Sequence, residues 1–256
     1  MIEAGALGLD AGSTTVKLVA VDEAGTMVWH RVEETEPDLT SQVEELLEST
    51  RKLLHRVDEL PLIATGYGRG LVKQAGRKVT EITCHARGAY QWSGGGGTLI
   101  DIGGQDTKAM IMDRSGAVTN FVMNDKCAAG TGRFLEVCAR RLRLSLDELS
   151  STALSTETEV SISSTCTVFA ESEIISLIAG GHPVPEIVRG LHRALLGRVG
   201  SLARGAGLRP PVMLSGGVAQ SRAVRMLLAE ELQCEVKSFS EPQLTGAYGA
   251  ALLGLA

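Results

Sequence analysis

Two periodicities alternate along this chain. Short apolar blocks bounded by turn residues mark strands, and apolar residues three and four apart mark helices. Residues 7–21 hold two apolar blocks around the turn Asp10-Ala11-Gly12-Ser13-Thr14-Thr15. Asp22-Glu23-Ala24-Gly25 then turns into a third strand over 27–32, which predicts an antiparallel meander. A helical pattern covers 38–57, with Ser41 and Glu44 spaced as a capping box. A short buried strand over 62–64 leads into Gly66-Tyr67-Gly68-Arg69-Gly70, a helix ending near Gly76, and a further helix over 81–92.

The glycines at 94–97 form an internal joint, and after them the opening pattern returns. An ungapped shift of 91 residues lays 7–28 on 98–119, pairing Asp10 with Asp101, Gly12 with Gly103, Lys17 with Lys108, Asp22 with Asp113 and Gly25 with Gly116. The identities are all turn or polar residues in matching places, as an internal duplication requires. The second half continues with a strand ending near Met123, helices over 131–142 and 146–151, and a helix following Cys166. It closes with a long helix over 185–206, a buried strand over 211–215, a helix over 219–232, a strand over 235–239 and a small-residue helix over 246–255. Two hairpin-opened sheets flanked by helices predict an α/β protein of two subdomains, 1–97 and 98–256, around a cleft.

Each hairpin turn carries a carboxylate, glycines and small hydroxyl or amide residues. Glycine lets phosphate oxygens approach backbone N–H groups, Ser13, Thr14 and Thr15 donate further hydrogen bonds, and a carboxylate can hold hydrated Mg²⁺. A third glycine site follows at Ser215-Gly216-Gly217, and Gly130-Thr131-Gly132 completes the set. No Walker-type or dinucleotide glycine motif is present, which disfavours other nucleotide folds. Lys17 and Lys108 read equally well as solvated edge charges or phosphate ligands and stay outside the site. His85, His182 and His192 lack ligand-like spacing, so surface or capping roles are expected.

Cys127 lies just ahead of a helix start in Asn124-Asp125-Lys126-Cys127-Ala128-Ala129-Gly130-Thr131-Gly132-Arg133-Phe134, where unpaired N–H groups and the dipole favour an anion or thiolate. Cys166 repeats the arrangement in Ser163-Ser164-Thr165-Cys166-Thr167-Val168-Phe169-Ala170-Glu171-Ser172-Glu173. Both read as functional thiols or as packing residues. Cys84, Cys138 and Cys234 read as packing. A four-thiolate cluster held in one chain shows closely spaced cysteines, so if Cys127 and Cys166 are ligands, a symmetric dimer supplies the other pair.

Composition narrows the classes. With 256 residues, 44% of them hydrophobic, the chain can bury a substantial core. With 25 basic against 30 acidic residues it carries a net charge of −5, so nothing favours nucleic acid. No segment approaches membrane-span length, and an odd cysteine count without scaffold spacing fits a reducing cytoplasm.

The stretches 10–15, Thr65-Gly66-Tyr67-Gly68-Arg69, Asp101-Ile102-Gly103-Gly104-Gln105-Asp106, 124–134, 163–173 and Gly216-Gly217-Val218-Ala219-Gln220 together resemble the activator ATPases of 2-hydroxyacyl-CoA dehydratases. That family includes ATP-binding subunits of benzoyl-CoA reductase, and its fold is similar to the acetate and sugar kinase, actin and heat-shock chaperone superfamily. The resemblance implies a duplicated actin-like ATPase fold with ATP or ADP and Mg²⁺ in the nucleotide cleft. It places Asp10, Gly12, Ser13, Thr14 and Thr15 on the phosphates from one side and Asp101, Gly103, Gly104 and Gln105 from the other, with Asp101 or Gln105 positioning the attacking water. Gly216, Gly217, Gln220 and Gln243 would line the nucleoside end, with Gly130, Thr131 and Gly132 nearby. It further implies a homodimer whose Cys127 and Cys166 pairs hold one [4Fe-4S] cluster. Such a dimer takes an electron from ferredoxin or flavodoxin and delivers it, with ATP hydrolysis, to a 2-hydroxyacyl-CoA dehydratase or a double-cubane iron–sulfur enzyme. The alternatives are one component of a benzoyl-CoA-reductase-like complex and a small-molecule kinase of the same superfamily.

Overall fold

The computed structural model describes every residue except Ser164 and Thr165. In chain order the strands and helices are β1 (Ala6–Ala11), β2 (Thr15–Val21), β3 (Met27–Glu34), α1 (Leu39–Thr50), β4 (Leu62–Thr65), β5 (Arg77–Lys78), α2 (Glu81–Ser93), β6 (Gly97–Ile102), β7 (Thr107–Met112) and β8 (Val118–Asn124). They continue with α3 (Gly132–Leu142), α4 (Leu146–Ala153), α5 (Thr167–Ala179), α6 (Val184–Ala206), β9 (Val212–Ser215), α7 (Arg222–Leu232), β10 (Val236–Ser238) and α8 (Thr245–Gly254). The chain groups into two compact units, one of residues 1–96, 113–118 and 244–256, the other of residues 97–112 and 119–243.

The first unit is built on a five-stranded sheet of order β3-β2-β1-β4-β5. Strand side chains alternate between faces, and both faces here are covered. Leu7, Leu9, Val16 and Leu18 pack with Leu39, Val43 and Leu46 of α1, whereas Ala6, Val19 and Val21 pack with Ala247, Ala251 and Leu252 of α8. Gly8 permits this close approach, because a Cβ there would run into the Ala247 carbonyl. Trp92 stacks on Tyr248 at 4.8 Å, and the Tyr248 hydroxyl donates to Gly25 O at 2.8 Å.

The second unit holds a sheet of order β10-β9-β6-β7-β8. Ile100, Ile102, Ile111 and Leu214 share one core with Phe134 and Cys138 of α3, Leu191 and Leu195 of α6 and Leu227 of α7. Among the described residues no helix is long and apolar enough to cross a membrane.

The duplication holds bond by bond. β1 and β2 pair antiparallel with Asp10 opposite Lys17, and β6 and β7 pair with Asp101 opposite Lys108. Each first strand also pairs in parallel with a later strand, Asp10 beside Thr65 and Asp101 beside Ser215. The next turns match too: Asp22 N donates to Thr26 O and Asp113 N to Ala117 O, both at 2.9 Å, with Gly25 and Gly116 at φ +80° and +83°.

Three local expectations change. The α1 helix ends at Thr50, and its cap is Asp38, whose carboxylate accepts from both the backbone N–H and the hydroxyl of Ser41. Ser41 therefore sits inside the first turn instead of capping it. The stretch after Gly66 is a 3₁₀ turn, Tyr67–Leu71, followed by β5 and not by a helix. Its repeated glycines carry the backbone entropy that disfavours an α-helix. His85 and His192 are buried, against the surface or capping roles expected for them, whereas His182 is exposed. The His192 ring lies 2.9 Å from Val188 O one helical turn back, and burial lowers its pKa.

Candidate functional site

The first hairpin closes with Gly12 N donating to Thr15 O at 3.1 Å. Its turn is held from outside by Thr35, whose hydroxyl donates to Gly12 O at 2.8 Å and whose N–H donates to Thr14 O at 3.0 Å. Asp10 is 5% exposed and pairs with Lys17 Nζ at 3.0 Å. Gly66 sits at φ +91°, where a Cβ would lie 2.5 Å from both Asp10 Oδ1 and Ala11 O. Only glycine tolerates that combination of backbone and space. Ser13 is exposed at the tip, and the buried Thr14 hydroxyl has no hydrogen-bond partner in the protein. A buried hydroxyl left in this state carries a desolvation cost that an added acceptor would relieve, so the turn suits a phosphate oxygen.

The second hairpin repeats the frame with different wiring. Gly103 N donates to Asp106 O at 2.9 Å, and Gln105 is exposed at the tip. Asp101 is 3% exposed, accepts from Ser215 Oγ at 2.9 Å and lies 3.7 Å from Lys108 Nζ, which pairs more closely with Asp106 at 2.6 Å. Gly216, at φ +90°, lies against Ile102 and Asp101 as Gly66 lies against Ala11 and Asp10. Both lysines are thus withdrawn into the hairpins as counter-ions to the carboxylates. Their shared cross-strand position after each turn was the signal in the sequence, as was the place of Thr65 and Ser215 before a glycine.

The residues expected at the nucleoside end are brought together. Gln220 Nε2 donates to Gln243 Oε1 at 2.6 Å, Gly217 borders Gln243, and Gly216 N donates to Pro242 O at 2.9 Å. Gly130, Thr131 and Gly132 are buried on the flank of the second hairpin. Gly132 N donates to Gly103 O and Arg133 N to Gly104 O, each at 2.9 Å, so these first-turn N–H groups of α3 are already satisfied.

The cysteines fall into two groups. Cys84 and Cys138 are buried, and burial pushes their thiols up to about 11 and about 12 respectively. Cys234 is half-buried against the core. Cys127 and Cys166 are exposed, one before the 3₁₀ turn Ala128–Gly130 that leads to α3, the other capping α5. These two helices pack on each other. Asn124 clamps Cys127 reciprocally, accepting from its N–H at 3.1 Å and donating to its carbonyl at 2.8 Å. Ser163 is tied to Glu173 of α5 through its N–H and hydroxyl, while Ser164 and Thr165 of the same motif lie outside the described residues. Exposed thiols on fixed backbones suit a soft metal centre. Among the described residues, no group of three or more His, Cys, Asp or Glu gathers as a metal site.

Paired Asp-x-Gly hairpins, each backed by a positive-φ glycine, on two sheets of one topology define an actin-like ATPase fold. The same fold class appears at 17% identity in a ROK-family glucokinase from Streptomyces griseus, with a TM-score of 0.62 over 97% of this chain and 98% of that one. The chain belongs to the BadF/BadG/BcrA/BcrD ATPase family, whose model matches residues 7–254. It is 42% identical to the 2-hydroxyisocaproyl-CoA dehydratase activator of Clostridioides difficile, over 96% of this chain and 93% of that protein. A solved structure of an activator of that dehydratase, with bound ADPNP, superposes with a TM-score of 0.90 at 41% identity, over 98% of this chain and 94% of that one. A benzoyl-CoA reductase subunit of Thauera aromatica is 34% identical over 74% of this chain and 69% of that protein.

Proposed function

We propose that this chain is an ATP-driven one-electron donor to a 2-hydroxyacyl-CoA dehydratase or a related double-cubane iron–sulfur enzyme. It works in the cytoplasm as a homodimer, with ferredoxin or flavodoxin as its source of electrons. The observation that carries the reading is the direct hydrogen bonding between the second phosphate-type turn and the segment that presents Cys127. The family match and the activator relatives support the ATPase side.

In the first hairpin, Ser13, the orphan hydroxyl of Thr14 and the turn backbone of Gly12 and Thr15 would meet phosphate, and Asp10 would hold hydrated Mg²⁺. Lys17 balances the buried charge of the Asp10 carboxylate. In the second, Gly103 and Gly104 leave room for phosphate oxygens. Asp101, fixed by Ser215 and Lys108, or Gln105 at the tip, orients the attacking water. Gly216, Gly217, Gln220 and Gln243 border the nucleoside. Cys127 and Cys166 of two copies would hold a [4Fe-4S] cluster, which supplies a low-potential electron when bound. Val168 and Phe169, each 67% exposed beside Cys166, support a face that a second copy covers.

Iron and acid-labile sulfide counted per dimer in anaerobic preparations test the reading. About four of each per dimer are expected, with loss of both in Cys166→Ala. Clusters that persist in Cys166→Ala would sink the shared-ligand arrangement. A second reading, one component of a permanent benzoyl-CoA-reductase-like complex, draws on the likeness to the Thauera aromatica protein. It predicts co-purification with larger partner chains in place of a free dimer.

A further inference from the structure

Resting on the nucleotide and thiol roles just proposed, we infer that Thr107 and Thr131 are positioning residues that carry the state of the turn at 103–106 to Cys127. A trans peptide unit is planar, with its C=O and N–H on opposite edges. The C=O of Gly103 and the N–H of Gly104 belong to one such unit, and the C=O of Gly104 and the N–H of Gln105 to the next. Both carbonyls are engaged: Gly103 O accepts from Gly132 N at 2.9 Å, and Gly104 O accepts from Arg133 N at 2.9 Å and Thr131 Oγ1 at 3.1 Å. An N–H that turns toward a phosphate oxygen therefore turns its carbonyl against the start of α3.

Little slack exists to absorb that rotation. A Cβ on Gly132 would lie 2.8 Å from Val218 Cγ2 and 3.1 Å from Gly103 O, so a side chain and a backbone carbonyl both crowd this position. Thr107 Oγ1, buried at the start of β7, donates to Gly130 O at 2.6 Å. The Thr131 hydroxyl also reaches Ala128 O at 2.9 Å, and Thr131 N donates to that carbonyl at 3.0 Å. From Ala128 the chain is one residue from Cys127, whose own N–H and C=O are clamped by Asn124. The two hydroxyls thus tie β7 and the turn at Gly104 to the segment between Cys127 and α3. In the first hairpin the equivalent Gly12 carbonyl accepts from the hydroxyl of Thr35, which follows β3 and leads to no cysteine.

The test uses the full chain, stripped of metal and reduced, with binding of ADPNP and ADP measured directly. Alkylation of Cys127 by iodoacetamide is followed by peptide mass spectrometry with Mg²⁺ and either nucleotide. We expect the Cys127 rate to differ about fivefold or more between the two nucleotides, as coupled sites do. Thr107→Val and, separately, Thr131→Val should shrink that ratio to about twofold or less, while Thr107→Ser, which keeps the hydroxyl, retains it. Circular-dichroism melts identify any variant that fails to fold, and the other variant then carries the test. Folded Val variants that keep the full ratio, or a wild-type chain that binds ADPNP without changing the Cys127 rate, would overturn the positioning roles and leave the nucleotide reading standing. A wild-type chain that binds neither nucleotide would overturn both.

Discussion

The two hairpins share register, turn chemistry and a backing glycine, yet they spend their contacts differently. Asp10 pairs at 3.0 Å with the lysine across from it, a compact and self-contained ion pair. Asp101 stands 3.7 Å from the equivalent Lys108, because that lysine is drawn to Asp106, and takes a hydroxyl from Ser215 instead. The outer carbonyls differ as well: those of the first turn are held by Thr35, those of the second by the start of α3. One repeated frame thus carries a lysine-paired carboxylate in the first unit and, in the second, a carboxylate held by Ser215 and Lys108 beside a turn hydrogen-bonded to the start of α3. Duplication supplies the geometry, and a few side chains set the task.

The largest expected difference is in stability. Lys108→Met removes the lysine that Asp101 and Asp106 share, in a site where the Lys108 and Asp101 side chains are each 4% exposed. Removing one partner of a buried pair costs about 3–5 kcal/mol, and urea unfolding should read a loss in that range. Lys17→Met strands only Asp10, and a loss of about half that size is expected. Equal losses would erase the contrast between the two sites.

Next comes catalysis. Asp101→Asn should lower kcat for ATP hydrolysis about a hundredfold with a small change in KM, the pattern of a lost proton acceptor. Asp10→Asn should act mainly on KM. A reversal in steady-state kinetics would exchange the roles of the two hairpins.

The smallest effect is a labelling contrast. Only the thiolate attacks an alkylating agent. Cys84 of the first unit and Cys138 of the second, raised to about 11 and about 12, stay protonated and unlabelled at neutral pH and enter only as pH climbs toward those values. Cys127 and Cys166, both exposed, label first. Rapid labelling of Cys84 in native protein would contradict the buried face between α2 and β4.

Much of this was legible along the chain. Period-two and period-3.6 patterns marked nearly every strand and helix, since each side chain's face follows from its own position. The repeat was visible because turn residues report local backbone demands: Gly25 and Gly116 both need positive φ, and Asp22 and Asp113 both accept their own turn's N–H groups. The segment at 67–76 departs from its helical pattern because its apolar residues suit a helix while its glycines do not, and sheet pairing by Arg77 and Lys78 settled the matter.

Sequence alone therefore carried the family, the repeated hairpins and the two exposed cysteine segments, because motif and periodicity are properties of neighbouring residues. Assembly settled the rest. The lysines became buried counter-ions, the last helix joined the first sheet through the space left at Gly8, and the first-turn N–H groups of α3 went to Gly103 and Gly104. Each of these depends on partners distant in the chain, and no local pattern specifies which buried group a distant segment will bring.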